Sequence, residues 1–337
     1  MIISRTPFRV SFFGGGTDYP AWYGEHKGAV LATTINKYTY ISCRYLPPFF
    51  DFKHRVIYSK IEMAKKIDSI QHPSVRECLR FMKVSKGVEI HYDADLPART
   101  GLGSSSSFTV GMLHALYALK GRMPTKRQLA LEAIKLEQGP MKENVGSQDQ
   151  VMAAFGGFNL VEFRGECDIR VYPVHVSLDR VDLLQKHFML FFTGFSRIAS
   201  EVAHEQITNI PRRKKELKEM YQMVYRGLDI LKDNGRIDRF GKLLHESWKL
   251  KRTLSSKVST PAIDDIYAAA RSAGAKGGKL LGAGGGGFLL IFADPKAQKK
   301  IRQKLKKLLY VPFRFDGLGS QIIFYSPWDY NQYEPRP

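Results

Sequence analysis

Leu96-Pro97-Ala98-Arg99-Thr100-Gly101-Leu102-Gly103-Ser104-Ser105-Ser106-Ser107 leaves a strand and enters a helix. Upstream, Val88, Ile90 and Tyr92 alternate with polar residues, the period of a half-buried strand. Downstream, the spacing predicts a helix from about Ser106 to Leu119, stopped by Lys120-Gly121. Glycines at 101 and 103 let a ligand reach the backbone without a side chain intervening. The helix start adds unpaired N–H groups and the positive end of its dipole, and serine hydroxyls crowd the same place. Gly101, Leu102, Gly103, Ser104, Ser105 and Ser106 therefore form a candidate polyphosphate cradle. A Walker A loop is excluded because no Gly-Lys-Ser/Thr ends the stretch. The dinucleotide fingerprint needs a third small residue where Ser106 stands plus a following acidic partner on a strand, and the context does not supply it. Simple capping of a helix is the bland alternative.

Two further glycine clusters flank this centre. Near the start, Pro7-Phe8-Arg9-Val10-Ser11-Phe12-Phe13-Gly14-Gly15-Gly16-Thr17-Asp18-Tyr19 reads as a strand carrying Arg9 that runs into a glycine turn. An acidic side chain beside exposed N–H groups suits the hydroxyls of a sugar, against a plain tight turn. Near the end stands Lys279-Leu280-Leu281-Gly282-Ala283-Gly284-Gly285-Gly286-Gly287-Phe288. Each glycine costs about 0.5–1 kcal/mol relative to alanine in regular structure. Such a run needs close approach to a phosphate, a ligand or another backbone segment, or else it is a hinge.

The rest of the chain is α+β in two halves. Strand signals cover Val30 to Arg44, and a helix follows Pro124 from about Thr125 to Glu137. In the second half, Leu217, Met220, Tyr221, Val224, Leu228 and Leu231 mark a long amphipathic helix. Others cover about Ile237 to Leu254 and Pro261 to Gly274, and strands return at 279–281, 288–292 and 321–325. The change of texture near 175–190 sets an expected division into 1–180 and 181–337.

Composition narrows the class. The 337 residues carry 44% apolar and 25% charged residues, ordinary for a globular protein, and no apolar run is long enough to span a bilayer. The stretch Met1-Ile2-Ile3-Ser4-Arg5 has no long apolar core and no small-residue cleavage site, so a secretory signal is not expected. Cys43, Cys78 and Cys167 are scattered singly, which makes neither a disulfide framework nor a zinc spacing and fits a cytoplasmic protein. The formal charge of +20 is concentrated at Arg212-Arg213-Lys214-Lys215 and from Lys296 to Lys307. Ala297, Ile301, Leu305 and Leu308 recur at helical spacing in the second block, so its lysines form an outer face, either solvated or open to polyanions. No nucleic-acid motif accompanies either block, and neither a nucleic-acid nor a membrane partner is expected.

The three glycine motifs, in this order, resemble those of the GHMP kinases. The resemblance implies an N-terminal domain like ribosomal protein S5 domain 2, a ferredoxin-like C-terminal domain and an active site between them. It implies ATP and Mg2+ as cofactors, with the metal on the Ser105 hydroxyl and the Glu137 carboxylate. In galactokinase-like members an aspartate faces the attacking hydroxyl beside a basic residue, which implies Asp149 and Arg9 as the catalytic pair. Arg9 would hold Asp149 ionised. Whether Asp149 removes the proton or orients the hydroxyl stays open. Gly15, Gly16, Thr17, Asp18, Gly156 and Gly157 are the implied sugar contacts, and Gly284, Gly285 and Gly286 the third-motif loop.

Galactokinase usually carries Gly-Glu-His-Thr-Asp-Tyr where this chain has Gly14-Gly15-Gly16-Thr17-Asp18-Tyr19, which argues against galactose. A nearer resemblance, over nearly the whole chain, is to bacterial D-glycero-D-manno-heptose 7-phosphate kinases. It is carried by the glycine turn before Asp18, Thr33 to Tyr38, Gly101 to Phe108, Gln148-Asp149-Gln150 and Thr193 to Arg197. It implies phosphorylation of the anomeric hydroxyl to the 1,7-bisphosphate, on the route to GDP-heptose and surface glycans. The acceptor's own phosphate would then meet Arg197, Lys37 or Arg99. Fucose, another hexose or another sugar phosphate is the alternative acceptor, and a non-catalytic sensor the alternative to an enzyme. A monomer or a homodimer is expected.

Overall fold

The computed structural model describes residues 1–98, 100–165, 168–194, 199–233 and 235–327. The first half runs β1 (Ile2–Phe13), α1 (Pro20–Tyr23), β2 (Gly28–Tyr45), β3 (His54–Ile57), β4 (Ile61–Ala64), α2 (Pro73–Phe81) and β5 (Val88–Ala94). It continues with α3 (Ser104–Leu119), α4 (Lys126–Gln138), α5 (Gln148–Phe155), β6 (Phe158–Phe163) and β7 (Ile169–Pro173). The strand signals from Val30 to Arg44 prove to be one strand, β2, long enough to serve several partners. β1 pairs along it from Ile2 opposite Cys43 to Phe13 opposite Leu31. On its other edge, residues 28–33 pair with β6 and residues 39–45 with β5. Thr125 caps α4 by accepting the amide of Gln128. Helix α3 starts two residues earlier than its apolar pattern predicts, because Gly103 in the left-handed region lets the turn begin at once. Its middle is buried nearly all round, as an apolar helix across a sheet must be. A Cβ at Gly111 would lie 2.8 Å from the Thr6 hydroxyl, so glycine sets how closely the helix rests on β1.

The second half opens with α6 (Leu178–Lys186) and β8 (Phe188–Phe192), followed by α7 (Ala199–Asn209), α8 (Lys214–Lys232), α9 (Asp238–Thr253) and α10 (Pro261–Ser272). Then come β9 (Gly277–Leu280), β10 (Phe288–Phe292), α11 (Pro295–Lys304) and β11 (Leu309–Tyr310). The four strands lie in the order β11-β8-β10-β9, antiparallel throughout. Taken in chain sequence this is fourth, first, third, second, the ferredoxin-like order. Of the residues its periodicity selects, α8 buries Leu217, Met220, Val224, Leu228 and Leu231, while Tyr221 is half-buried at the margin of the core. No described helix is long and apolar enough to cross a membrane.

The end of the chain departs from the expected division at residue 180. β12 (Phe315–Asp316) pairs with β2, and β13 (Gln321–Tyr325) pairs with the open edge of β1. The last part of the chain thus completes the first sheet, giving its edge the hydrogen bonds it would otherwise lack. The halves also share one apolar core. Phe12 stacks on Phe188 at 5.2 Å between ring centres, and Phe13 meets Phe240 edge-on at 5.0 Å. Leu31, Leu228, Leu244 and Phe292 fill the same cluster. Burying aromatic rings contributes apolar area and adds about 0.5–1.5 kcal/mol per well-placed pair.

Candidate active site

A cavity of about 190 Å³ opens where the three glycine motifs converge. On one wall is the loop before α3. Gly101, Gly103, Ser104, Ser105 and Ser106 line it, the two glycines with φ of +84° and +78°. Leu102 points the other way, fully buried in the shared core, and offers the site its backbone alone. Its carbonyl accepts the Arg9 amide at 3.1 Å, which pins the loop to β1.

Arg9 lies beneath this loop, 3% exposed. Its Nη1 donates to the Gly101 carbonyl at 2.7 Å, while Nε and Nη2 donate to the two Asp149 carboxylate oxygens at 2.8 and 2.9 Å. A planar fork of this kind fixes the carboxylate's orientation as well as its charge. Asp149, in the first turn of α5, is half-buried and faces the cavity. Burial raises its pKa above the ordinary carboxylate value, Arg9 opposes this, and the nearby Asp18 adds to it. Arg9 is expected from the sequence to hold Asp149 ionised, but desolvation outweighs the guanidinium.

The opposite wall is the turn after β1. Gly15, Gly16 and Asp18 line the cavity. Asp18 accepts the Gly16 amide at 2.9 Å and the Gln148 side-chain amide at 2.8 Å, and it rests directly on Gly146. A Cβ at Gly146 would sit 1.9 Å from an Asp18 oxygen, so only glycine fits there. Thr17 turns inward, donating to the carbonyls of Gly14 and Ala29, and holds the turn from behind. Gly156 and Gly157 do not line the cavity. They pack against residues 317–319, and the Gly157 amide donates to the Thr34 hydroxyl at 2.7 Å. Their positive φ angles serve the return of the chain.

Glu137, fully buried in α4, lies under the phosphate loop. The Ser106 hydroxyl donates to Glu137 Oε2 at 2.8 Å and the Gln150 amide does so at 2.7 Å, while Oε1 has no partner. The serine expected beside Glu137 was Ser105. One helical step separates them, and Ser105 instead faces the open cavity. Burial pushes Glu137 up to about 7, opposed by the polar groups of Ser106, Thr109 and Gln150. An unpaired, desolvated carboxylate oxygen behind loop hydroxyls is a donor set for a hard, oxygen-seeking cation, and no described His/Cys/Asp/Glu cluster offers another metal site.

In the third motif, Gly282 and Ala283 are the residues on the cavity. Gly284 and Gly285 pack on Val258, and a Cβ at Gly287 would lie 2.2 Å from the Thr100 carbonyl. Gly286 is buried within the same loop. This run therefore answers to backbone approach, bedding the phosphate loop on the second half. Lys37 lies in β2 outside the cavity lining, and Arg99 and Arg197 fall outside the described residues. Sequence reasoning missed Gln148, Gly146, Ser200 and Lys251, all of which line the cavity. Lys251 sits in Lys249-Leu250-Lys251-Arg252, where nothing in the spelling sets one cation apart from its neighbours.

The family model for the GHMP kinases N terminal domain matches residues 70–157, and that for the GHMP kinases C terminal matches 228–311. The chain is 29% identical over 320 residues to D-glycero-alpha-D-manno-heptose 7-phosphate kinase of Campylobacter jejuni, covering 91% of this chain and 93% of that protein. It is 27% identical to the bifunctional fucokinase/GDP-fucose pyrophosphorylase of Arabidopsis thaliana, covering 89% of this chain but 31% of that longer protein. Among solved structures, a D-glycero-D-manno-heptose 1-phosphate kinase from Bacteroides thetaiotaomicron superposes with a TM-score of 0.74 at 23% identity, covering 97% and 100% of the two chains. With both halves matched in order and the three glycine motifs gathered around one cavity, the chain belongs to the GHMP kinases and is an ATP-dependent phosphotransferase.

Proposed function

We propose that this kinase phosphorylates the anomeric hydroxyl of a sugar phosphate, and that its acceptor is D-glycero-D-manno-heptose 7-phosphate, giving the 1,7-bisphosphate. The observation that carries the reading is the Arg9–Asp149 fork, set between the phosphate loop and the Gly15–Asp18 turn. The similarity to a heptose 7-phosphate kinase over nine-tenths of both chains supports the choice of acceptor.

In this account the loop amides and the hydroxyls of Ser104 and Ser105 hold the nucleotide's phosphates. Glu137 with the loop serines would hold Mg2+, which when bound neutralises phosphate charge. Gly16, Asp18 and Gln148 fix the sugar, and the unpaired Oε1 of Gln148 accepts one of its hydroxyl protons. Asp149 takes the proton of the attacking hydroxyl as the new oxygen–phosphorus bond forms, and the bond to the β-phosphate oxygen breaks to release ADP. The burial that raises Asp149 also makes it a better proton acceptor, and a general base so placed is worth roughly 10²–10⁴-fold in rate. Arg9 keeps the carboxylate aimed and meets developing charge on the transferred group. For the acceptor's own phosphate Arg197 is the candidate, because it closely precedes the cavity-lining Ser200 in sequence.

A panel of acceptors with magnesium and ATP, scored by ADP release, tests this. Heptose 7-phosphate is expected to exceed free heptose by roughly 10- to 150-fold in kcat/KM, the worth of one charge-assisted contact. Arg197→Ala removes most of that difference. Equal efficiency on both sugars, or preference for fucose as in the plant relative, would replace the acceptor and leave the phosphotransferase standing.

A further inference from the structure

The cavity holds a lysine that the account so far leaves idle. Lys251 comes from α9, in the second half of the chain, and is 4% exposed. Its Nζ donates to the Gly282 carbonyl. Gly282 is pressed against the phosphate loop, since a Cβ on it would lie 2.4 Å from the Gly101 Cα. Gly101 is the residue whose carbonyl Arg9 holds. On the other side, a Cβ built on Gly15 would come within 3.7 Å of Nζ, so the ammonium also borders the acceptor turn. It therefore stands at the junction of the nucleotide's cradle and the acceptor's, where the terminal phosphate must lie if the reading above holds.

An ammonium has three donors, and among the described residues this one uses a single carbonyl. A tether alone does not need a charge at this spot. Lys279 provides the contrast: it is equally buried, donates to the Phe12 carbonyl at 3.1 Å, lies off the cavity and serves as a tether. Lys251 and Arg9 are the two cations that line the cavity among the described residues, facing Asp18 and Asp149. We propose that Lys251 is a second cation of the transfer site, its ammonium contacting the terminal phosphate of ATP from the second half of the chain while Arg9 acts from the first. This rests on the phosphotransfer reading and not on which sugar is the acceptor.

The groups facing Lys251 are Asp18 on the turn, Asp149 on α5, Arg9 on β1 and Lys279 on β9. Burial lowers Lys251 to about 8, the balance struck with Asp18 and Asp149 opposing and Arg9 reinforcing it. A lysine is charged below its pKa and loses that charge as pH rises through it. Any affinity due to the ammonium is then present below pH 8 and fades above it.

The test needs no acceptor: calorimetric binding of magnesium-ADP and of the magnesium β,γ-imido analogue of ATP. Lys251→Met should weaken the triphosphate about 10- to 100-fold while changing ADP little, and Lys251→Arg should keep most of the preference. In the unmutated protein the preference for the triphosphate should decline as pH rises past 8, a readout that stands even if Lys251→Met fails to fold. Equal loss on both nucleotides, an unchanged preference in Lys251→Met, or a pH-independent preference in the parent would overturn the proposal. A wrong acceptor would show in the sugar panel and leave these isotherms as they are.

Discussion

Asp149 shows how much of the site is decided by one pair of side chains. Both of its oxygens are engaged by Arg9, yet burial still leaves its pKa raised. With Asp149 as the proposed proton acceptor, Asp149→Asn keeps the shape and loses that role, so kcat should fall by about 10²-fold or more while calorimetry shows nucleotide binding preserved. A near-normal kcat would remove Asp149 from the chemistry. Because the carboxylate is the active form, activity should decline as pH falls through its raised value, and it should decline less where Asn has already removed the titration. Glu137 obeys the same sign on a different readout. Held at about 7 by burial, it would, as the proposed magnesium ligand, offer a charged oxygen above that pH and a neutral acid below it. The magnesium concentration for half-maximal rate should rise as pH drops from 8 to 6, and Glu137→Gln should abolish that slope. The pairing Arg9–Asp149 was legible in the sequence through the resemblance to galactokinase-like members, where a basic residue sits beside the aspartate. The preference of Glu137 for Ser106 over Ser105 was not, because it depends on the rotation of α3 about its axis once the helix begins at Ser104.

Among the elements, the phosphate loop and the third motif act as one piece. The glycine run was legible as a place of close approach, but the sequence left open what approaches it. The answer is backbone: Gly101 meets the Leu281 carbonyl and Gly287 meets that of Thr100. Gly287→Ala should therefore destabilise the protein by about 1–3 kcal/mol and raise KM for ATP, although the residue does not line the cavity. Gly317→Ala has open space around its Cβ and should change neither thermal midpoint nor KM. Matching effects of the two substitutions would mean that the loop tolerates a side chain after all. The long helices α8 and α9 were readable from periodicity, since their buried residues recur every three or four positions. That periodicity says which face is buried, and it does not say that one lysine on that face opens into a cavity.

At the scale of the whole molecule, the two halves are not independent bodies. Phe12 and Phe13 of the first sheet pack with Phe188, Phe240 and Phe292 of the second half, and the chain end returns to pair with β1. The return was hidden from sequence because 321–325 reads as a strand without naming its partner, and strand pairing across more than 300 residues leaves no local signature. A fragment of residues 1–180 would expose half of the shared aromatic cluster and an open β1 edge. It should aggregate or remain partly unfolded, whereas the full chain should melt in a single calorimetric transition. Two separated transitions in the full chain would contradict a shared core.

We propose that Asp149 and Arg9 direct the terminal phosphate of ATP to the anomeric oxygen of a sugar phosphate. This is tested most directly by locating the new phosphate. Heptose 7-phosphate, ATP and magnesium incubated with the protein should yield, by phosphorus NMR, one new phosphomonoester coupled to the anomeric proton, forming about 10²-fold or more slower with Asp149→Asn. A phosphate attached at any other carbon, or inorganic phosphate as the only product, would contradict it.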